Sequence, residues 1–141
     1  MLRSAMQSAI SGISAAETAI QVYAHNLANM RTDGFKSQRP VFAAQAPRTL
    51  SPGQGPNAAS GGSNPVQVGH GVYVAEIQTD SSPGPLVADA ASPGGVRELS
   101  NTDVAANLID LSLAANMFRA NLAVFRAGDA LLDDLLRLRR P

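Results

Sequence analysis

The sequence predicts a mainly α protein with a small β element. Long N- and C-terminal helices are expected to pair as an antiparallel, coiled-coil-like core, with a Pro/Gly-rich loop and a short strand or hairpin between them. Three observations carry this expectation. Apolar residues at both ends of the chain recur in alternating steps of four and three. The middle lacks that rhythm. Residues 40–97 also hold eight of the nine prolines and nine of the twelve glycines, which break regular helix.

At the N-terminal end the apolar series is Leu2, Met6, Ala9, Ile13, Ala16, Ile20, Tyr23 and Leu27. This is the a/d seam of a heptad repeat, and it predicts a helix over 2–29, on the order of 40 Å long at 1.5 Å per residue. Gly12 costs about 1 kcal/mol relative to Ala inside a helix, or admits a close backbone. Asn29, Thr32, Asp33 and Gly34 end the helix, since Asn and Gly tolerate the left-handed cap conformation. From Phe35 to Phe42 the chain reads as extended, because Pro40 excludes helix and biases the residue before it away from helical geometry.

Between Ser51 and Asn64 there is almost nothing to bury, and the stretch reads as a flexible loop. Val66, Val68, Val72 and Val74 then keep period two across Gly69-His70-Gly71, with Ile77 on the other face. That pattern predicts a strand, or a hairpin turning at the glycines, ending near Thr79.

The second helix is expected over 102–138. Asn101 or Thr102 would cap it, and Asp103 would sit on the positive end of its dipole. Its seam is Val104, Leu108, Leu111, Ala115, Phe118, Leu122 and Phe125. At Asp129 the register fails. A shift of face through Leu131, Leu135 and Leu138 restores an apolar stripe, which reads as a stutter. The chain thus divides into an N-terminal helix with its terminating motif (1–36), an extended and small β segment (37–97) and a C-terminal helical segment (98–141).

With 141 residues there is room for one modest domain. Eleven basic and eleven acidic residues cancel, which argues against nucleic acid as a partner. No unbroken apolar run approaches the roughly 18 residues of a membrane span, so no direct membrane insertion is expected. Gln7, Ser8, Ser11 and Ser14 interrupt any signal-peptide core, so export would use a route that cleaves none. The absence of Cys excludes disulfides and thiolate chemistry. His25 and His70 lack metal-ligand spacing, and Gly69-His70-Gly71 opens no dinucleotide-binding helix. Asp133 and Asp134 are adjacent and diverge on a helix. Arg137, Arg139 and Arg140 are explained by helix-end electrostatics. No catalytic residue, cofactor, metal or small-molecule substrate is therefore expected, and the protein reads as structural.

One segment is more specific than periodicity. Asn26-Leu27-Ala28-Asn29-Met30-Arg31-Thr32-Asp33-Gly34-Phe35-Lys36 resembles the Asn-Leu-Ala-Asn-x-x-Thr-x-Gly-[Phe/Tyr]-Lys signature of flagellar basal-body rod and hook proteins. Its matching positions are Asn26, Leu27, Ala28, Asn29, Thr32, Gly34, Phe35 and Lys36. Ser100-Asn101-Thr102-Asp103-Val104 is similar to the opening of the family's C-terminal helix, and Pro65 to Val72 to its strand entry. The turn Asn116-Met117-Phe118-Arg119-Ala120 departs from the family's usual Gln-Arg-Ala-Tyr. The short proximal-rod type is the nearer match in length. The resemblance implies a subunit that polymerises through its terminal helices into a hollow, torque-transmitting tube across the periplasm. It also implies passage through the flagellar export apparatus without signal cleavage. The implied partners are further copies and other rod proteins. Leu2, Met6, Ile13, Ile20, Leu27, Val104, Leu108, Leu111, Phe118, Leu122 and Phe125 are the expected packing and assembly residues. The competing reading is a soluble two-helix binding module or secretion chaperone.

Overall fold

The computed structural model describes residues 2–46, 48–50, 66–92 and 94–138. The expected Ser51–Asn64 loop and the basic residues Arg139 and Arg140 lie outside the described residues. Two helices dominate: α1 (Leu2–Ala28) and α2 (Val104–Leu138). They pack antiparallel, with Asn26 meeting Asn107, Ala19 and Tyr23 meeting Ala114, Gly12 meeting Asn121, and Met6 meeting Gly128.

The seam between them is built from small residues. Ala9, Gly12, Ala16, Ala19, Tyr23 and Asn26 are the buried line of α1, again in steps of three and four. Three of these, Ala9, Ala16 and Tyr23, were in the expected register. The expected large members, Leu2, Met6, Ile13, Ile20 and Leu27, are half-buried and flank that line. The physical reason is distance. Axial separation is set by the side chains at the contact, so Gly and Ala draw the backbones together and larger chains form the rim. On α2, Asn107, Ala114 and Gly128 are buried, with Leu111, Phe118, Leu122 and Phe125 half-buried. Val104 and Leu108, expected in the same seam, are exposed.

Asp129 proves not to interrupt the pairing. Asn107, Ala114, Asn121 and Gly128 form a period-seven line of small and polar residues, and Gly128 receives Met6. α2 is also long and apolar enough, by length and composition alone, to cross a membrane. Reading only unbroken runs overlooked this, because its apolar residues are spread around the helix with polar ones between.

The β structure consists of short antiparallel pairs. β1 (Gln38–Ala44) pairs with β4 (Val72–Thr79), with a register shift beside Val41 and Phe42. β2 (Arg48–Leu50) pairs with β3 (Val66–Val68), and β5 (Leu86–Ala88) with β6 (Val96–Glu98). The extended reading of Phe35–Phe42 and the strand end at Thr79 agree with this. The hairpin at Gly69–Gly71 does not form: β3 and β4 belong to different sheets. Gly71, at φ 101, instead lies against Ser11 of α1, whose Oγ accepts from the Val72 N–H at 3.1 Å. A side chain at Gly71 would displace that contact. β5 and β6 were not anticipated, since three-residue strands leave too little alternation to read.

Candidate assembly site

Two features stand out: a polar joint at one end of the helix pair, and an uncovered face along α2. The joint is made by the Asn26–Lys36 motif. Asn26 is 1% exposed, yet every arm of its amide is engaged. Its Nδ2 donates to the Gln38 carbonyl at 2.6 Å and to Asn107 Oδ1 at 2.8 Å, while Oδ1 accepts from the Gln38 N–H at 2.9 Å. A fully buried amide costs several kcal/mol if unpaired, so this position specifies both the start of β1 and the register of α2. Asn107 Nδ2 in turn donates to the Asp103 carbonyl at 2.7 Å.

The rest of the motif turns the chain. Asn29 Nδ2 donates to the His25 carbonyl at 3.0 Å, and its Oδ1 accepts from Thr32 Oγ1 at 3.1 Å. Gly34 takes φ 65, a conformation that favours glycine, and its N–H donates to the Glu98 carbonyl. Phe35 sets its ring edge-on to His25, with centroids 5.4 Å apart. Lys36 Nζ meets Glu98 Oε1 at 2.6 Å and donates to the Ser82 carbonyl at 2.8 Å. Leu27 is half-buried beside the seam and Ala28 is exposed.

Glu98 also accepts from the Gly84 N–H at 2.6 Å. The Lys36 hydrogen bond, then that of Gly84, holds its carboxyl below the usual range. Asn101 closes the joint: Oδ1 accepts from the Ser37 N–H at 2.7 Å, and Nδ2 donates to the Asp80 and Ser82 carbonyls. The helix cap therefore falls to Asp103, whose Oδ1 accepts from the Ala106 N–H at 3.0 Å, rather than to Asn101 or Thr102. Burial, then the charge of Asp110, raises the Tyr23 phenol, with Arg39 opposing.

The uncovered face lies on α2. Ile109, Leu113, Met117, Ala120, Val124, Ala127, Leu131, Leu135 and Leu138 follow in steps of four and three, all exposed. Leu113 is 57% exposed and Leu135 58%. The face shift seen at Leu131 is thus the far end of a second stripe running nearly the whole helix. Arg119, Arg126, Asp133 and Arg137 recur on the far side at steps of seven and four. One helix therefore carries a face for α1, a second apolar face, and a charged face. Asn107, Glu98 and all but the end of the second stripe were missed from the sequence, and Asn101 was read as a helix cap, not as part of the joint. The period-seven run of small and polar residues at 107, 114, 121 and 128 was the available signal.

A paired-helix framework with a locked joint carries a long uncovered apolar stripe, a surface of the kind that marks an interaction site. A family model described as flagella basal body rod protein matches residues 6–36, most of α1 and the motif. The flagellar basal-body rod protein FlgC of Borreliella burgdorferi is 30% identical over 97% of this chain and 97% of its own length. The flagellar hook protein FlgE of the same organism is 40% identical over 56% of this chain, which amounts to 18% of that protein. The basal-body rod protein FlgG of Bacillus subtilis is 38% identical over 56% of this chain and 30% of its own length. The chain thus spans less than a third of the hook and FlgG relatives but 97% of FlgC. It belongs to the flagellar basal-body rod protein family, a family of structural proteins.

Proposed function

We propose that this chain is a structural subunit of the bacterial flagellar basal-body rod, polymerising through its terminal helices into a hollow tube that transmits torque across the periplasm. The observation that carries the reading is the second stripe of α2. A helix of 35 residues that covers one face with α1 and leaves another apolar along most of its length gains stability when neighbours cover it. Ile109, Leu113 and Val124, together with the flanking rim of Leu2, Met6, Ile13, Ile20 and Leu27, are the side chains offered to those neighbours, which are further copies and other rod proteins. The exposed Val104 and Leu108 extend the same role. Charges on the far side of α2 suit an aqueous boundary rather than lipid, so membrane insertion is not part of the reading. Travel through the flagellar export apparatus, without signal cleavage, fits a chain whose packing is completed by its neighbours.

The test is Val124→Asp, placed on the stripe and away from the α1 seam. The purified chain should keep its helix content and its thermal midpoint, while rod assembly and swimming are lost. Normal swimming would contradict the proposal.

A further inference from the structure

We infer that Asp33–Gly34 is an isoaspartate-forming bond that β6 holds silent in the folded chain, so that a chain left open at the joint is converted into one that can no longer close it.

Asp33 and Gly34 form the one Asp-Gly pair of the sequence, which has no Asn-Gly. Glycine stands there because the turn takes φ 65, a region that L side chains avoid; a Cβ at Gly34 would otherwise meet nothing within 4 Å. The same missing Cβ leaves the Gly34 nitrogen unhindered towards the Asp33 carboxyl. In the reaction that nitrogen bonds to Asp33 Cγ, and one carboxyl oxygen leaves as water, taking the N–H proton and one from solvent. A five-membered succinimide results. Water then adds at the former main-chain carbonyl of Asp33 and breaks its bond to the Gly34 nitrogen, which regains a proton. The main chain now runs through Cβ and Cγ of residue 33 and is one methylene longer. No atom is gained or lost overall, and water is the one co-reactant.

Both reacting groups are exposed, yet each is held by one of two consecutive residues of β6. The Gly34 N–H, whose nitrogen is the nucleophile, donates to the Glu98 carbonyl at 2.9 Å. The Asp33 carboxyl, the electrophile, meets Arg97 Nη1 at 3.2 Å through Oδ2. That pair is about half exposed, so it is the weaker of the two restraints. β6 is itself fastened to the joint. Glu98 Oε1 takes both Lys36 and the Gly84 N–H, and the Leu99 N–H donates to the Pro85 carbonyl at 2.8 Å. The Gly34 nitrogen is thus freed towards Cγ by a local opening that lifts β6 from the turn.

The lesion falls where chain length matters. Just past Gly34, the Phe35 carbonyl accepts from the Asn101 N–H at 3.2 Å, and the Ser37 N–H donates to Asn101 Oδ1 at 2.7 Å. Gln38 is then held through both its N–H and its carbonyl by buried Asn26. An extra methylene ahead of Gly34 moves this series out of register with Asn26, Glu98 and Asn101. Folding therefore protects the bond, and a chain that stays open is removed from the pool able to fold.

The experiment ages the full chain in warm neutral buffer, with and without guanidinium chloride. Trypsin, cutting after Arg31 and Lys36, releases Thr32–Lys36, in which isoaspartate is resolved by chromatography and electron-transfer fragmentation. Isoaspartate at residue 33 should form at least tenfold faster in denaturant than in native buffer. Arg97→Ala and Glu98→Ala leave that peptide unchanged. Each should raise the native-buffer rate severalfold, Glu98→Ala more, while circular dichroism shows retained helix and the rate in denaturant stays that of wild type. Gly34→Ala should slow the reaction in denaturant, since its Cβ crowds the nitrogen. When aged chains are diluted out of denaturant, isoaspartate should be depleted from the refolded monomer and enriched in the misfolded fraction. Equal rates in the two buffers, folded variants that react no faster than wild type, or isoaspartyl chains that refold and melt as wild type does would overturn the inference.

Discussion

Gly12 of α1 and Asn121 of α2 face each other so closely that a Cβ on Gly12 would lie 2.7 Å from the Asn121 side-chain amide. The seam is therefore tight where the sequence has its one mid-helix glycine of α1. A small neighbour, not a large one, is what each helix supplies there.

It follows that Gly12→Val should destabilise the chain by about 1–3 kcal/mol, the usual cost of forcing volume into a packed contact. The Asn121 amide, which donates to the Met117 carbonyl at 2.9 Å, would have to give way. Urea titration followed by circular dichroism measures the loss. Adding Asn121→Ala should return part of it, and no recovery would show that the clash lies elsewhere.

Asn26→Ala strands the Gln38 backbone and the Asn107 amide in the buried joint. A loss of about 2–3 kcal/mol is expected, the scale for buried polar groups deprived of partners. The double variant with Asn107→Ala should cost clearly less than the two singles added together, because both singles break the same bond. Strict additivity in a denaturant cycle would mean that the two amides act independently.

The Lys36–Glu98 contact predicts a pH dependence. Glu98 is held below the usual carboxylate range, first by its hydrogen bond with Lys36. In acid the unfolded chain takes up a proton at Glu98 before the folded chain does. Stability is thus present above the unfolded value and lost as pH falls through the folded one. Thermal melts between about pH 6 and pH 3 should show that decline, with a shallower slope in Glu98→Gln than in wild type. The contribution is small, since the pair is partly exposed and screened.

Leu111→Asp and Leu113→Asp should separate folding from assembly. Leu111 packs against the cluster of Ala19, Tyr23 and Ala114, so its substitution should lower the thermal midpoint of the isolated chain. Leu113 points away from that cluster, so its variant should melt as wild type does and fail only in assembly. Equal melting losses would place Leu113 in the pair's own core.

The helices were legible in the sequence because a long amphipathic repeat leaves a signal in every turn. The C-terminal end of α1 could be read within a residue and the start of α2 within two. Every second position of the α1 seam was read one residue off, Ile13, Ile20 and Leu27 in place of Gly12, Ala19 and Asn26, because large apolar residues were weighted over small ones. Glycine and alanine pack deepest where backbones approach, as Gly12, Ala16 and Ala19 do, while Ile13 and Ile20 form the rim. The motif was visible as a string, but its chemistry was not. The partners of Lys36 and Ser37, namely Glu98 and Asn101, lie about sixty residues away, and no local pattern links them. The second stripe from Ile109 to Leu138 was seen only at its end, where Asp129 broke the first.

The most direct test of the assembly account is hydrogen exchange along α2, compared between the isolated chain and purified basal bodies. Amides from Ile109 to Leu131 should exchange measurably in the isolated chain and become strongly protected in the rod. Equal protection in both states would mean that the stripe meets no partner there, and would contradict the account.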